Sequence, residues 1–211
     1  MAKMLILTGP QGAGNHLWSK VFSLHPNVYG WKTLLDNYWE AHRFAEPFAP
    51  YWRDPALLDD FNWAQSEYYF TSISLPLGIV GHEVNPIWMP DIQGFAATVL
   101  GCGVEVEIAV VGRDQTILAN QQTRIRTQPT LPLFLEQLPK ISNPTFLSYE
   151  LLYLYKQDYL KSLQLNIPIA WNDARIDSIL ADDANSKYIH NVEYNELDNG
   201  NKLGVTFKTR P

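Results

Sequence analysis

Three glycines follow the first apolar run of the chain at a spacing suited to phosphate binding. The run 4–7 leads into the letters GPQGAGNH, with glycines at positions 9, 12 and 14, and a helix-compatible stretch follows. Glycines let successive backbone N–H groups face one anion, and the positive end of the following helix strengthens the attraction. We therefore expect an anion-binding loop, formed by the backbone of Gln11, Gly12, Ala13, Gly14, Asn15 and His16.

The loop lacks the two side chains that magnesium-dependent phosphoryl transfer uses. Such a loop carries Lys, which reaches the outer phosphates, and then Ser or Thr, whose hydroxyl holds Mg²⁺. Asn15 and His16 stand at these positions, and Asp114, which follows a later apolar run, is next to Arg113. We expect a reaction without a metal, and a nucleotide or small-molecule kinase is an alternative that the glycine pattern alone supports.

Composition and charge restrict the class of protein. The 211 residues, 46% hydrophobic and 18% charged, suit one α/β domain with a substantial core. The net charge of −6 argues against a general nucleic-acid or anionic-membrane binder. The single cysteine, Cys102, excludes an internal disulfide framework, and no apolar stretch reaches the roughly 20 residues of a membrane span. These features predict a cytoplasmic protein with neither a nucleic-acid nor a membrane partner.

Short apolar strands alternate with helices along the chain. This pattern predicts a three-layer α/β fold with a mainly parallel sheet of about five strands. The predicted strands are 4–8, 28–31, 77–81, 104–111 and 145–148, and the predicted helices are 15–24, 33–44, 55–70, 88–100, 115–127 and 150–163. The letters LDNGNK before LGVTF predict a C-terminal β-hairpin. We expect one domain over 1–211, with a core of 1–172 and an extension of 173–211.

Aromatic residues concentrate between positions 44 and 63. This segment is predicted to lie over the sheet as a lid, beneath which Phe48, Tyr51 and Trp52 would stack on a sugar or ring of an acceptor. The seven tryptophans and eleven tyrosines of the chain also indicate an aromatic-rich groove, and the alternative is that they simply form an aromatic core.

Three segments, in order, resemble the signatures of the sulfotransferase family. The stretch from the loop through His25 and Pro26 resembles the family's opening. VEIAVVGRDQTILANQQ resembles the second signature, a strand leading into Arg-Asp and then a helix, and FLSYELLYLYKQDYLKSLQLNIP resembles the third. Together the segments span residues 4–168. The resemblance implies a P-loop fold and transfer of a sulfuryl group from 3′-phosphoadenosine 5′-phosphosulfate to a hydroxyl or amine of a small-molecule or glycan acceptor.

The resemblance also implies roles for individual residues. The 11–16 backbone would hold the 5′-phosphate end of the donor. Arg113 matches the arginine that binds the 3′-phosphate, and Asn120 or Gln121 matches its serine partner. His82 matches a histidine that serves as general base in some members.

The chain departs from the family at three positions. Gly12 replaces the loop cation, His16 replaces a Thr, and Val80 replaces the lysine before the base. Sulfuryl transfer needs positive charge near the leaving oxygen. We expect that charge from a protonated His16 or from Lys32. Otherwise the chain would be a non-catalytic nucleotide-binding domain.

Overall fold

Five strands form one parallel sheet in a computed structural model of the chain, which describes residues 1–37, 40–79, 81–83, 85–126, 129–181, 192–194 and 205–207. Their order is β2-β3-β1-β4-β5. The strands are β1 (Lys3–Gly9), β2 (Val28–Tyr29), β3 (Tyr68–Ser74), β4 (Glu105–Gly112) and β5 (Thr145–Ser148). This sheet, flanked by helices, confirms the predicted α/β fold.

The central strand, β1, brings the glycine loop to the carboxyl edge of the sheet. It pairs with β3 on one side and β4 on the other, with Leu5 opposite Phe70 and Glu107. Its apolar run does not alternate because both of its faces are buried. The chain leaves β1 towards β2 and leaves β4 towards β5, so the connections diverge between β1 and β4. Such a divergence opens a ligand crevice at the carboxyl ends of the strands.

Helices cover both faces of the sheet. They are α1 (Asn15–Ser23), α2 (His42–Ala45), α3 (Ala49–Arg53), α4 (Ile92–Gly101), α5 (Gln115–Arg126), α6 (Leu131–Gln137), α7 (Tyr149–Ser162) and α8 (Arg175–Ile179). On one face, Leu5 and Leu7 pack with Trp18 of α1 and Leu152 of α7. On the other face, side chains of α3, α4 and α6 pack against Met4 and Ile6. The result is a three-layer arrangement.

The third strand lies elsewhere than predicted. The structure places β3 at Tyr68–Ser74, while Leu77 and Ile79 form only isolated bridges with Trp88 and Pro86. Gly78 has a positive φ of 93°, which interrupts extended backbone after Pro76. The predicted helix 55–70 is also wrong, since 55–60 and 63–65 are 3₁₀ turns and the aromatic and β-branched run YYFTSIS forms β3.

Two further predicted helices are shorter in the structure. Within 33–44 the structure describes a 3₁₀ turn, Lys32–Asp36, and the single turn of α2, with 38–39 outside the described residues. The helix predicted from residue 88 begins at Ile92, because the side chain of Asp91 accepts the N–H of Gly94 at 2.9 Å and caps it.

The aromatic segment forms core. Phe48 and Trp52 are buried, and Trp52 stacks on Phe95 with 3.8 Å between ring centroids. Tyr51 is half-buried against Phe48 and Phe61. The prediction that Phe48 and Trp52 face an acceptor is therefore wrong, and the core alternative is right.

The C-terminal extension contains two paired strands. These are β6 (Val192–Tyr194) and β7 (Val205–Phe207), which pair antiparallel as expected for the predicted hairpin. The predicted turn letters LDNGNK lie outside the described residues. Within the described ranges, no helix is long and apolar enough to cross a membrane.

Candidate functional site

The glycine loop joins β1 to α1 at the predicted position. Gly12 and Gly14 have positive φ angles of 88° and 102°, and the N–H of Ala13 closes a turn onto the carbonyl of Pro10 at 3.1 Å. A Cβ on Gly14 would lie 2.6 Å from a ring carbon of Tyr149. The backbone angle and the close ring explain why glycine is needed there.

Donors from the β4–α5 side hold two carbonyls of the loop. Gln122 Nε2 donates to the Gln11 carbonyl at 2.6 Å, and Arg113 Nη1 donates to the Gly12 carbonyl at 2.5 Å. The N–H and C=O of a trans peptide point in opposite directions. The N–H groups that follow Gln11 and Gly12 are therefore turned away from these donors.

Three loop amides have no protein acceptor among the described residues. They are the N–H groups of Gly12, Gly14 and Asn15. They lie at the amino terminus of α1, where the helix dipole favours negative charge. This arrangement suits a phosphate or sulfate group.

The structure brings together two of the residues assigned to the 3′-phosphate. Arg113 Nη1 lies 2.5 Å from Gln121 Oε1, and the guanidinium lies over the ring of Tyr149 at 4.5 Å. Among the described residues, Asn120 has no such contact with Arg113, so Gln121 is the one of the two amides that lies against the guanidinium. Arg113 is only 8% exposed, and its contact with Gly12 places its positive charge against the loop.

Gln11 directs its side chain into the protein. Its Nε2 donates to the Gly78 carbonyl at 2.6 Å, and its Oε1 accepts the hydroxyl of Thr130 at 3.1 Å. These bonds fix the segment after β3 and the start of α6 against the loop. Gln11 can thus contact an anion only through its backbone.

Asn15 stands where a phosphate loop would carry lysine, and it has a structural contact instead. Its Nδ2 donates to Ser74 Oγ at 2.9 Å and lies 3.4 Å from the Gly9 carbonyl. The side chain thus ties the carboxyl end of β1 to that of β3. This position disfavours magnesium-ATP chemistry.

The surroundings of His16 disfavour the protonated form that was expected to supply charge. Its Nε2 lies 2.9 Å from the Glu40 carbonyl, so this nitrogen carries the proton of the neutral ring. Trp31 packs on the ring at 5.1 Å between centroids, and burial lowers the pKa of His16. The neutral form therefore dominates at neutral pH.

Lys32 does not supply charge to the loop either. Its Nζ donates to the carbonyls of Ser23 and His25, each at 2.7 Å, at the far end of α1. A nine-residue helix is about 13 Å long. Lys32 therefore stabilises the carboxyl terminus of α1, and its predicted role at the leaving oxygen is wrong.

His82 lies in the segment that Gln11 fixes beside the loop. It is exposed, and its Nδ1 accepts the N–H of Asn85 at 3.0 Å. In the neutral ring the proton is then on Nε2. His82 could accept a proton only after releasing Asn85. Val80, which replaces the family's lysine, lies outside the described residues.

Sequence reasoning missed a buried pair beside α1. His42 Nε2 donates to the Ser72 carbonyl and lies 3.8 Å from Glu46 Oε2, which accepts the N–H of Phe48 at 2.9 Å. Burial lowers the pKa of His42 to about 4 and raises the pKa of Glu46 to about 8. Both side chains are therefore mainly neutral at pH 7. Their spacing of four residues, typical of one helix face, was the available signal.

A groove of about 610 Å³ lies elsewhere, along the edge strand β2. Its walls include Tyr29, Lys32, Ser66 and Glu67, and none of the loop residues lines it. Among the described residues, no cluster of His, Cys, Asp and Glu is placed to hold a metal ion.

The chain matches no protein-family model, and a search of the curated proteins finds no match. A functional assignment therefore depends on the loop, its surroundings and the order of the sequence motifs.

Proposed function

We propose that the protein is a sulfotransferase-like transferase that binds 3′-phosphoadenosine 5′-phosphosulfate. It would move the sulfuryl group to a hydroxyl or amine of a small-molecule or glycan acceptor. The observation that carries the proposal is the glycine loop, whose Gly12, Gly14 and Asn15 amides have no acceptor among the described residues. The loop lies in the crevice where ligands of open parallel sheets bind. The three segments that resemble sulfotransferase signatures support 3′-phosphoadenosine 5′-phosphosulfate as the nucleotide.

In the proposed reaction, the acceptor oxygen or nitrogen attacks the sulfur and the bond from sulfur to the 5′-phosphate oxygen breaks. The loop amides hold the phosphosulfate and stabilise the negative charge that develops on the leaving oxygen. Arg113 adds positive charge through its contact with Gly12. His82 is the proposed base for the acceptor proton, and its contact with Asn85 must open first.

The second candidate is a non-catalytic nucleotide-binding domain. The low pKa of His16, the distant position of Lys32 and the occupied Nδ1 of His82 favour it. Each removes a group that catalysis would use, while none of them affects the loop amides.

We place the protein in the cytoplasm, since Cys102 as the single cysteine offers no internal disulfide for an oxidising compartment. The net charge of −6 opposes general binding to nucleic acid.

Calorimetry with two nucleotides tests the proposal. We expect 3′-phosphoadenosine 5′-phosphate to bind, and ATP with magnesium to bind at least tenfold more weakly. The reverse reaction then tests catalysis without a known acceptor, because sulfuryl transfer from p-nitrophenyl sulfate to the bound nucleotide releases coloured p-nitrophenol. Binding without release would favour the non-catalytic domain. A preference for magnesium-ATP would favour a kinase and contradict the proposal.

A further inference from the structure

Gln122 of α5 is almost completely buried and uses both ends of its side-chain amide. It is 1% exposed. Its Nε2 donates to the Gln11 carbonyl at 2.6 Å, while its Oε1 accepts the N–H groups of Thr130 at 2.8 Å and Leu131 at 3.0 Å. A reversed amide would place N–H groups against N–H groups and oxygen against oxygen. The three partners therefore determine its orientation.

The contacts of Gln122 close a ring of hydrogen bonds around the base of the loop. Gln122 holds the backbone of Gln11, and its other end holds the backbone of Thr130. The Thr130 hydroxyl returns to the Gln11 side chain at 3.1 Å. All three residues are at most 1% exposed, so water does not compete for these bonds. The peptide between Gln11 and Gly12 is thus held in one orientation without any ligand.

This orientation matters because glycine peptides rotate easily. Gly12 and Gly14 both have positive φ angles, and the backbone of glycine has several other accessible conformations. An anion that must first order such a loop binds more weakly than one that meets a preorganised loop. A lysine would draw the anion in by charge, but this loop contains none.

We propose that Gln122 is a positioning residue for anion binding, which orients the Gln11–Gly12 peptide so that the loop amides face a sulfate or phosphate group. This inference rests on the proposed anion site and adds the residue that prepares it. Gln122 acts through the loop and does not contact the ligand.

Two substitutions with opposite properties test the role of Gln122. In Gln122→Glu at pH 9, above the range in which a buried carboxyl such as Glu46 titrates, the carboxylate accepts from Thr130 and Leu131 but repels the Gln11 carbonyl. We expect a tenfold or greater loss of affinity for inorganic sulfate and 3′-phosphoadenosine 5′-phosphate relative to wild type. At pH 5 the protonated carboxyl can donate to Gln11 again, so affinity should return to within about threefold of wild type. Gln122→Met, which cannot donate, should stay weak at both pH values.

Thr123→Glu is the matched control, because it adds the same charge at an exposed position of the same helix. It should bind both anions as wild type does. If Gln122→Met does not fold, the comparison of Gln122→Glu at two pH values tests the inference within one protein.

The outcomes separate this inference from the proposed function. If wild type binds neither anion, both are wrong. If wild type binds and the folded Gln122 variants bind within twofold of it at pH 9, only the role of Gln122 is overturned. A loss in Gln122→Glu that persists at pH 5 also overturns it, since protonation should restore the donor.

Discussion

Replacing Glu46 by glutamine should change how stability depends on pH. The Glu46 side chain is completely buried, and its Oε2 accepts the N–H of Phe48 at 2.9 Å. Its Oε1 has no hydrogen-bond partner among the described residues. The neighbouring His42 is mainly neutral because burial lowers its pKa to about 4. Desolvation therefore outweighs the contacts that favour the carboxylate, and it raises the pKa of Glu46 to about 8.

The direction of the effect follows from proton binding. Between the unfolded pKa of 4.5 and the folded pKa of about 8, the folded chain holds the Glu46 proton more tightly than the unfolded chain. Stability therefore falls as pH rises through this range and is constant above it. His42, with a folded pKa of about 4 and an unfolded pKa of 6.5, has the opposite effect, which fades only above pH 6.5 because half of the unfolded rings are still protonated there. From pH 6.5 to 8 the stabilising contribution of Glu46 falls by about 1.6 kcal/mol, because the slope of about 1.4 kcal/mol per pH unit halves as the pH reaches the folded pKa.

Urea unfolding at pH 6.5 and pH 8 measures this difference. Between these pH values wild type should lose about 1.6 kcal/mol more unfolding free energy than Glu46→Gln does, because the amide does not titrate while the histidines titrate in both proteins. Glu136→Gln, at an exposed position, is the control and should behave as wild type does. An equal pH dependence in wild type and Glu46→Gln would refute the assignment of a raised pKa to Glu46.

Three further substitutions, one of them with a control, test the site. Arg113→Ala should weaken binding of 3′-phosphoadenosine 5′-phosphate and of adenosine 5′-phosphate equally, by about 1.5–3 kcal/mol in calorimetry. The loss is expected for both nucleotides because Arg113 Nη1 holds a loop carbonyl. A loss confined to the 3′-phosphorylated nucleotide would show instead that Arg113 binds the 3′-phosphate. Gly14→Ala should reduce the unfolding free energy by about 1–3 kcal/mol, since its φ is 102° and Tyr149 is close. Gly101→Ala, where a Cβ meets nothing within 4 Å, should not. His82→Gln should slow sulfuryl transfer by about 10²–10⁴-fold while nucleotide affinity stays unchanged, and an unaltered rate would exclude His82 as the base.

The sequence predicted the sheet class and the loop because both depend on local patterns. The apolar run of β1 and the glycines at 12 and 14 lie within about ten residues of each other. The run predicts a buried strand, and the glycines predict the tight turn that follows it. The strand Tyr68–Ser74 was missed because its aromatic letters continue those of the preceding turns. The β-branched residues that follow them, in YYFTSIS, were the local signal for a strand.

The side chains around the loop could not be predicted in the same way. Lys32 is near the loop in sequence, yet it caps the far end of α1. Gln122 is 111 positions away from Gln11, yet it holds the Gln11 carbonyl. Hydrogen-bond partners so far apart in sequence depend on how the helices pack over the sheet. Residue types alone do not predict that packing.

We propose that the loop amides bind the phosphate or sulfate of a nucleotide. The most direct test follows the backbone N–H resonances while 3′-phosphoadenosine 5′-phosphate is added. We expect the largest shifts at Gly12, Gly14 and Asn15, whose N–H groups have no acceptor among the described residues. Unchanged loop resonances, with shifts instead at Tyr29 and Ser66 in the groove along β2, would contradict the claim.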